Sequence, residues 1–336
     1  MNLEERIKAF VQLKSTIDNL TNAEKSNLYE LCALANPWFT TENTDRALRG
    51  IAQFLSEESL TAWTNGYNLN VASSKKIGVA MAGNIPLVGF HDLLCVVIAG
   101  HTLVAKLSSQ DTVLMNFMIE QIKRIDARFM DKIFLEERLK NIDALIATGS
   151  DNTSRYFEYY FRNIPHIIRK NRTSCAVIVG EEPSAEISKL GIDIFSYFGM
   201  GCRNVSKLFI PEGFNLSSLL TCWEIHKDMV NHHKYANNYD YQKCLLLMNQ
   251  IPFYDAGHAL LVENVNLVSP ISVIYYEYYD SLEELKTTLE LQKDKIQCIA
   301  SAQGWYPNSI PFGQAQFPAV SEFADNIDTL KFLENI

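Results

Sequence analysis

The stretch IGVAMAGNIPLVGFHDLLCVVIAGHTLVAK, residues 77–106, decides the fold class. Residues 77–82 are apolar and are stopped by Gly83-Asn84-Ile85-Pro86, the signature of a buried strand running into a loop. A helix is predicted over 89–99 and a second strand over 101–106. Strand, crossover helix and strand in so short a span form a βαβ unit, and that unit requires a parallel sheet. Working outward, 111–125 reads as a helix, 144–147 as a strand ending in Thr148-Gly149-Ser150, and 152–161 as a helix. Towards the N-terminus the pattern is helical. Leu3, Ile7, Phe10, Val11 and Leu13 recur at helix spacing, Thr21 or Asn22 caps a second helix that stops at Asn36-Pro37, and a third spans 44–56.

A second alternating block follows, with strands at 176–179, 207–210, 259–262, 274–279 and 296–300. Helices at 184–190, 215–229 and 281–292 lie between them. The aromatic run 275–279 reads as sheet packing. From Asn308 the chain has Pro311 and Pro318 and no strong period before a short final helix. The expected organisation is a helical region 1–75 packed on a cofactor domain 76–175, a cysteine-bearing domain 176–305 and a tail 306–336.

Composition narrows the class. With 336 residues, 47% hydrophobic and 21% charged, the chain can bury the cores of two domains. A formal charge of -9 argues against nucleic acid or an anionic membrane as the main partner. The local cluster Arg169-Lys170-Asn171-Arg172 still accommodates an anionic ligand. The 7 cysteines are scattered singly with no C-x-x-C pair, which is neither a disulfide framework nor a metal site and fits a reducing cytosol. The start Met1-Asn2-Leu3-Glu4-Glu5-Arg6 lacks a signal-type apolar core, and the longest apolar run, 93–100, is too short to span a bilayer. A cytoplasmic protein without membrane insertion is expected.

One cysteine stands apart. In Gly199-Met200-Gly201-Cys202-Arg203-Asn204 the thiol sits between glycines and a cation. Thiols attack as thiolates, and nearby cations and N–H groups favour that form. Arg203 and Lys207 supply positive charge, and the glycines permit a tight bend and close substrate approach. The competing reading is a small buried residue near a helix start.

Taken together, the segments resemble the aldehyde dehydrogenase superfamily. Residues 78–109 resemble its asparagine loop, helix and strand ending in Lys-Pro-Ser-Glu. Ala147-Thr148-Gly149-Ser150 resembles its pyrophosphate loop, Cys202-Arg203-Asn204-Val205 its cysteine segment, and Pro311-Phe312-Gly313-Gln314 its late Pro-Phe-Gly-Gly turn. The runs RKNRTSCAVIVGEE (169–182), YFGMGCRNVSKLFIP (197–211), KYANNYDYQK (234–243) and SPISVIYYEYY (269–279) resemble its long-chain acyl-CoA reductase branch, the LuxC-type fatty-acid reductases. The resemblance implies an α/β, aldehyde dehydrogenase-like fold of two parallel-sheet domains with a helical N-terminal region.

It also implies roles. Cys202 is the nucleophile, and Asn84 donates its amide to the developing oxyanion with the Cys202 N–H; without the resemblance, Asn84 reads as a turn residue. Lys106 holds the adenosine ribose or a phosphate on it. NAD-preferring members carry a ribose-gripping glutamate where this chain has Ser109, beside Ser108, so NADPH is the expected cofactor. Gly149 and Ser150 meet the pyrophosphate at a helix N-terminus, with Asp151 placed to cap that helix. Members that hydrolyse their acyl-enzyme carry a glutamate base where this chain has Arg169, and a cation cannot activate water as a base. His232-His233 are candidate proton carriers but too few for a metal site.

The expected activity is reduction of acyl-CoA (or another acyl thioester) to fatty aldehyde through an acyl-cysteine. Open beside it are an acyl phosphate or aldehyde substrate, a nicotinamide-independent cysteine acyltransferase or thioesterase, and a non-catalytic scaffold. Superfamily members oligomerise through a hairpin arm, for which 63–74 is short. A homo-oligomer and an acyl-transferring protein partner both stay open.

Overall fold

Four helices begin the chain in the computed structural model, which describes residues 1–70, 73–149 and 151–336. They are α1 (Leu3–Asp18), α2 (Asn22–Ala35), α3 (Thr41–Phe54) and α4 (Glu57–Thr64). Local chemistry sets their starts: Asn2 with Glu5, and Thr21 with Glu24, form reciprocal capping boxes. Then β1 (Lys76–Ala80), α5 (Phe90–Ile98) and β2 (Thr102–Lys106) build the expected βαβ unit. It is followed by α6 (Thr112–Ile125), β3 (Ile133–Leu135), β4 (Ala144–Thr148), α7 (Asp151–Phe161) and β5 (His166–Arg169). The strands pair in parallel in the order β3-β2-β1-β4-β5. Helix α1 packs against both α5 and α6. Ile77, Val79, Leu103, Ala105, Leu145 and Ile146 are fully buried, so the sheet is covered on both faces, as parallel sheets require.

A second sheet comprises β6 (Thr173–Val177), β7 (Val205–Pro211), β8 (Tyr254–Asp255), β9 (Leu260–Glu263), β10 (Val273–Tyr279), β11 (Ile296–Ser301) and β12 (Ile310–Pro311). Its helices are α8 (Ser184–Phe195), α9 (Ser217–Trp223), α10 (His233–Met248) and α11 (Leu282–Gln292). The order is β12-β11-β6-β7-β10-β9-β8, parallel except for β8, which pairs antiparallel with β9. The sheet is therefore mixed rather than purely parallel. The two-residue strand β8 is too short to show a period. The expected helix over 215–229 also ends early. At Trp223, whose indole donates to Ile187 O at 2.9 Å, the chain tightens into a 3-10 segment, Glu224–Asn231. The aromatic run packs as a sheet strand, with Tyr276 and Tyr279 buried and the Tyr279 hydroxyl donating to Ile178 O at 2.8 Å.

Two compact units result: Met1–Asn171 with Ala319–Ile336, and Arg172–Pro318. The N-terminal helices thus share a unit with the first sheet, and residues 306–336 are divided between the units at Ala319 instead of forming one tail. Two imidazole donors of the first unit, His91 half-buried and His101 buried, explain the return. His91 Nε2 donates to Val320 O at 2.8 Å and His101 Nε2 to Leu333 O at 2.9 Å. The final helix, α12 (Thr329–Glu334), packs on α5. Among the described residues no helix is long and apolar enough to cross a membrane.

Candidate active site

In the first unit the chain runs from β1 to β2 on one side and reaches β4 on the other. Open α/β sheets bind ligands at such a switch point, outside the carboxyl ends of the strands. Lys106 ends β2, and the loops following β1, β2 and β4 hold Asn84, Ser108 with Ser109, and Gly149, so five residues singled out in the sequence lie at the carboxyl ends of the strands. Ser150 lies outside the described residues.

The Asn84 loop is built tightly. Met81 N–H donates to Lys106 O at 3.0 Å, and Leu87, held at φ 60°, donates its N–H to Asp111 Oδ2 at 2.7 Å. A Cβ on Gly83 would lie 2.5 Å from the Ser108 Cβ, so only glycine lets the two loops touch. Asn84 itself is exposed. Asp111 is 2% exposed, and burial pushes its carboxyl up to about 7 against the pull of the Leu87 N–H. The Ser108 hydroxyl oxygen accepts the Gln110 N–H at 3.2 Å, so this serine shapes the turn, whereas Lys106 and Ser109 are exposed. A Cβ on Gly149 would lie 3.0 Å from Thr153 Cγ2, so a glycine lets the loop after β4 lie close to α7. These residues fit a nicotinamide dinucleotide: an exposed cation and hydroxyl stand at the end of β2, with a close glycine turn after β4.

Cys202 lies in the second unit. After α8, Tyr197 (φ 52°), Phe198 (φ 57°) and Gly199 (φ 76°) are all left-handed. Two consecutive aromatic residues there store of order 1–3 kcal/mol each, and such strain persists only where surroundings over-determine it. Asn204 supplies much of that constraint. It is 1% exposed, and its Nδ2 donates to Asp193 O at 2.9 Å and Ser196 O at 2.8 Å. Its Oδ1 accepts the Gly201 N–H at 2.8 Å, while its own N–H donates to Gly201 O at 3.0 Å. Residues 201–204 are thereby closed into a turn with Cys202 at its corner, half-buried. The Ser174 hydroxyl, on β6, donates to Cys202 O at 3.0 Å.

Two charges differ from expectation. Lys207 does not serve the thiol. It is wholly buried on β7, bonds to Asn264 O and pairs with Glu277 at 2.7 Å, and burial lowers its pKa despite that pairing. Arg169 ends β5 at 2% exposure, with Nη1 on both Asp92 oxygens (2.8 and 2.7 Å) and Nη2 on the Thr329 hydroxyl at 2.8 Å. Its positive charge is fixed in an ion pair. His232 caps α10 by accepting the Tyr235 N–H and packs on Phe198, with ring centroids 4.6 Å apart. Asp111, Asp193 and Asn204 escape a sequence reading. Only Asp193 leaves a signal, a carboxylate among the apolar positions of α8, whose Glu186 is buried too.

The α/β architecture is an aldehyde dehydrogenase-like fold. Aldehyde dehydrogenase 21 from Physcomitrella patens, in complex with the reaction product succinate, is similar at 11% identity and a TM-score of 0.67, over 100% of this chain and 84% of that one. A mutant aldehyde dehydrogenase C from Pseudomonas syringae, complexed with NAD+ and octanal, is similar at 10% identity and a TM-score of 0.65, over 90% and 72%. The NAD+ complex of an aldehyde dehydrogenase from Bacillus cereus is similar at 14% identity and a TM-score of 0.63, over 90% and 72%. The sequence matches no protein-family model and no curated protein.

Proposed function

We propose that this chain is an oxidoreductase that converts acyl-CoA to fatty aldehyde with NADPH. The fold and the resemblance support a nicotinamide enzyme with Cys202 as nucleophile. Arg169 is the observation that favours reduction over hydrolysis: where a water-activating glutamate falls in hydrolytic members, this chain holds a cation locked to Asp92.

In this reading the Cys202 thiolate attacks the thioester carbonyl, and the oxyanion takes hydrogen bonds from the Asn84 amide and the Cys202 N–H. The C–S bond to CoA breaks, CoA leaves as thiolate, and an acyl-Cys202 thioester stays on the enzyme. Lys106, Ser109 and the Gly149 loop would hold the dinucleotide. A reduced nicotinamide, when bound, would supply the hydride for the acyl carbon; breaking the C–S bond to Cys202 would then release the aldehyde and return the Cys202 thiolate. With no base at position 169, the acyl-enzyme discharges to hydride or thiol rather than to water.

The test is NADPH consumption against acyl-CoA esters of graded chain length, with the product identified. Aldehyde should form, and Cys202→Ala should abolish it while leaving the fold intact. In reverse, long-chain aldehyde with NADP+ and CoA should yield acyl-CoA with little free acid. Rapid CoA-independent carboxylic acid would sink the reductase reading in favour of aldehyde oxidation.

A further inference from the structure

Helix α8 carries a carboxylate where its periodicity calls for an apolar side chain. Ile187, Leu190 and Ile194 form its buried face, and Asp193 lies among them at 0% exposure. A buried carboxylate is strongly unfavourable unless donors meet it. Two backbone donors do so. Gly313 N–H reaches Oδ2 at 2.6 Å and Ala315 N–H reaches Oδ1 at 2.9 Å.

Both donors belong to the turn Pro311-Phe312-Gly313-Gln314-Ala315. That turn grips the cysteine segment, because Arg203 Nε donates to Ala315 O at 2.5 Å. From its backbone end, Asp193 accepts from Asn204 Nδ2 at 2.9 Å, and Asn204 in turn holds the Gly201 N–H. One residue therefore reaches both sides of Cys202, through Arg203 on one route and Asn204 on the other. The turn has little slack, since Gly313 sits at φ +82° and a Cβ there would lie 3.2 Å from the Lys189 Cβ.

We propose that Asp193 is a positioning residue for the Cys202 thiol, its carboxylate clamping the 311–315 turn against the 201–204 turn. The proposal rests on Cys202 being the nucleophile. Burial pushes the Asp193 carboxyl up to about 7, against the two N–H groups and the Arg203 charge. Its ionised form offers acceptors only, and two converging N–H groups need both oxygens. An asparagine would turn its own N–H2 towards one of them. It would open the clamp without leaving a cavity.

The full-length protein is compared with Asp193→Asn. One arm measures the pH-dependent alkylation rate of Cys202 by iodoacetamide, located by mass spectrometry. The other measures Cys202 acylation by palmitoyl-CoA without NADPH. Both rates should fall about tenfold or more, since displacements well under an ångström are felt at a reacting centre. A variant that melts earlier yet keeps the parental alkylation rate and pH profile well below its melting temperature overturns the proposal. Should Asp193→Asn fail to fold, Gly313→Ala shifts the same turn while leaving Asp193 in place. It should slow alkylation likewise, and a parental rate overturns the proposal. A parent protein that is alkylated at Cys202 but never acylated refutes the acyl-CoA reading. The alkylation arm then decides the clamp on its own.

Discussion

A glutamate at position 109 would grip two ribose hydroxyls and repel a phosphate on the second. Ser109 does neither, and it is exposed beyond the similarly exposed Lys106 at the end of β2. The parent protein should therefore use NADPH at higher kcat/KM than NADH. Ser109→Glu should move that preference towards NADH by about 1–3 kcal/mol, the scale of a like-charge contact in a partly desolvated site. Kinetics with both cofactors on both proteins check this. An unchanged ratio would mean that position 109 is not at the ribose.

The loop between β1 and α5 depends on a residue from another element. Asp111, just ahead of α6, takes the Leu87 N–H. In an unfolded chain an aspartate titrates at about 3.9, whereas burial pushes Asp111 up to about 7 in the fold. Between these values the folded state holds a proton that the unfolded state has released. Stability is therefore lost as pH rises through that window and levels off above it. Asp111→Asn should flatten this part of the slope, measured as hydrogen exchange of the peptide containing residues 83–90 between pH 5 and 8. A variant whose exchange still follows the parental pH curve would refute the assignment.

The strands and helices of the first sheet were legible because apolar runs between glycine and proline punctuation are local signals. Cys202 and Asn84 stand out in the sequence through their glycine and proline neighbours, and the roles proposed for them rest on the resemblance. Asp111 and Asp193 were not legible, since each acquires its meaning from N–H groups far away in sequence. Lys207 misleads for the same reason, because its partner Glu277 is 70 residues away in sequence, on the neighbouring strand β10.

At the scale of the whole molecule, the buried pair Arg169–Asp92 ties β5 and α5 to Thr329 of the returning segment. Removing one member of such a pair strands the other charge, at about 3–5 kcal/mol. Asp92→Ala should lower the unfolding free energy of the first unit by that amount, read from its denaturant transition. The double change Asp92→Leu with Arg169→Met should recover most of it, because an apolar replacement needs no partner. Equal loss in the single and double variants would show that packing, not charge, holds the segment.

The division of the chain also has a temporal side. Arg172–Pro318 is continuous, whereas the first unit needs residues from both ends of the sequence. During vectorial synthesis the inserted segment emerges whole while the first unit still lacks the packing of α12 on α5. Until residues 319–336 leave the ribosome, the imidazoles of His91 and His101 and the guanidinium of Arg169 lack their acceptors in that segment. The unit that begins first is completed last, and a protein truncated after Pro318 would hold one continuous body and one without its final helix.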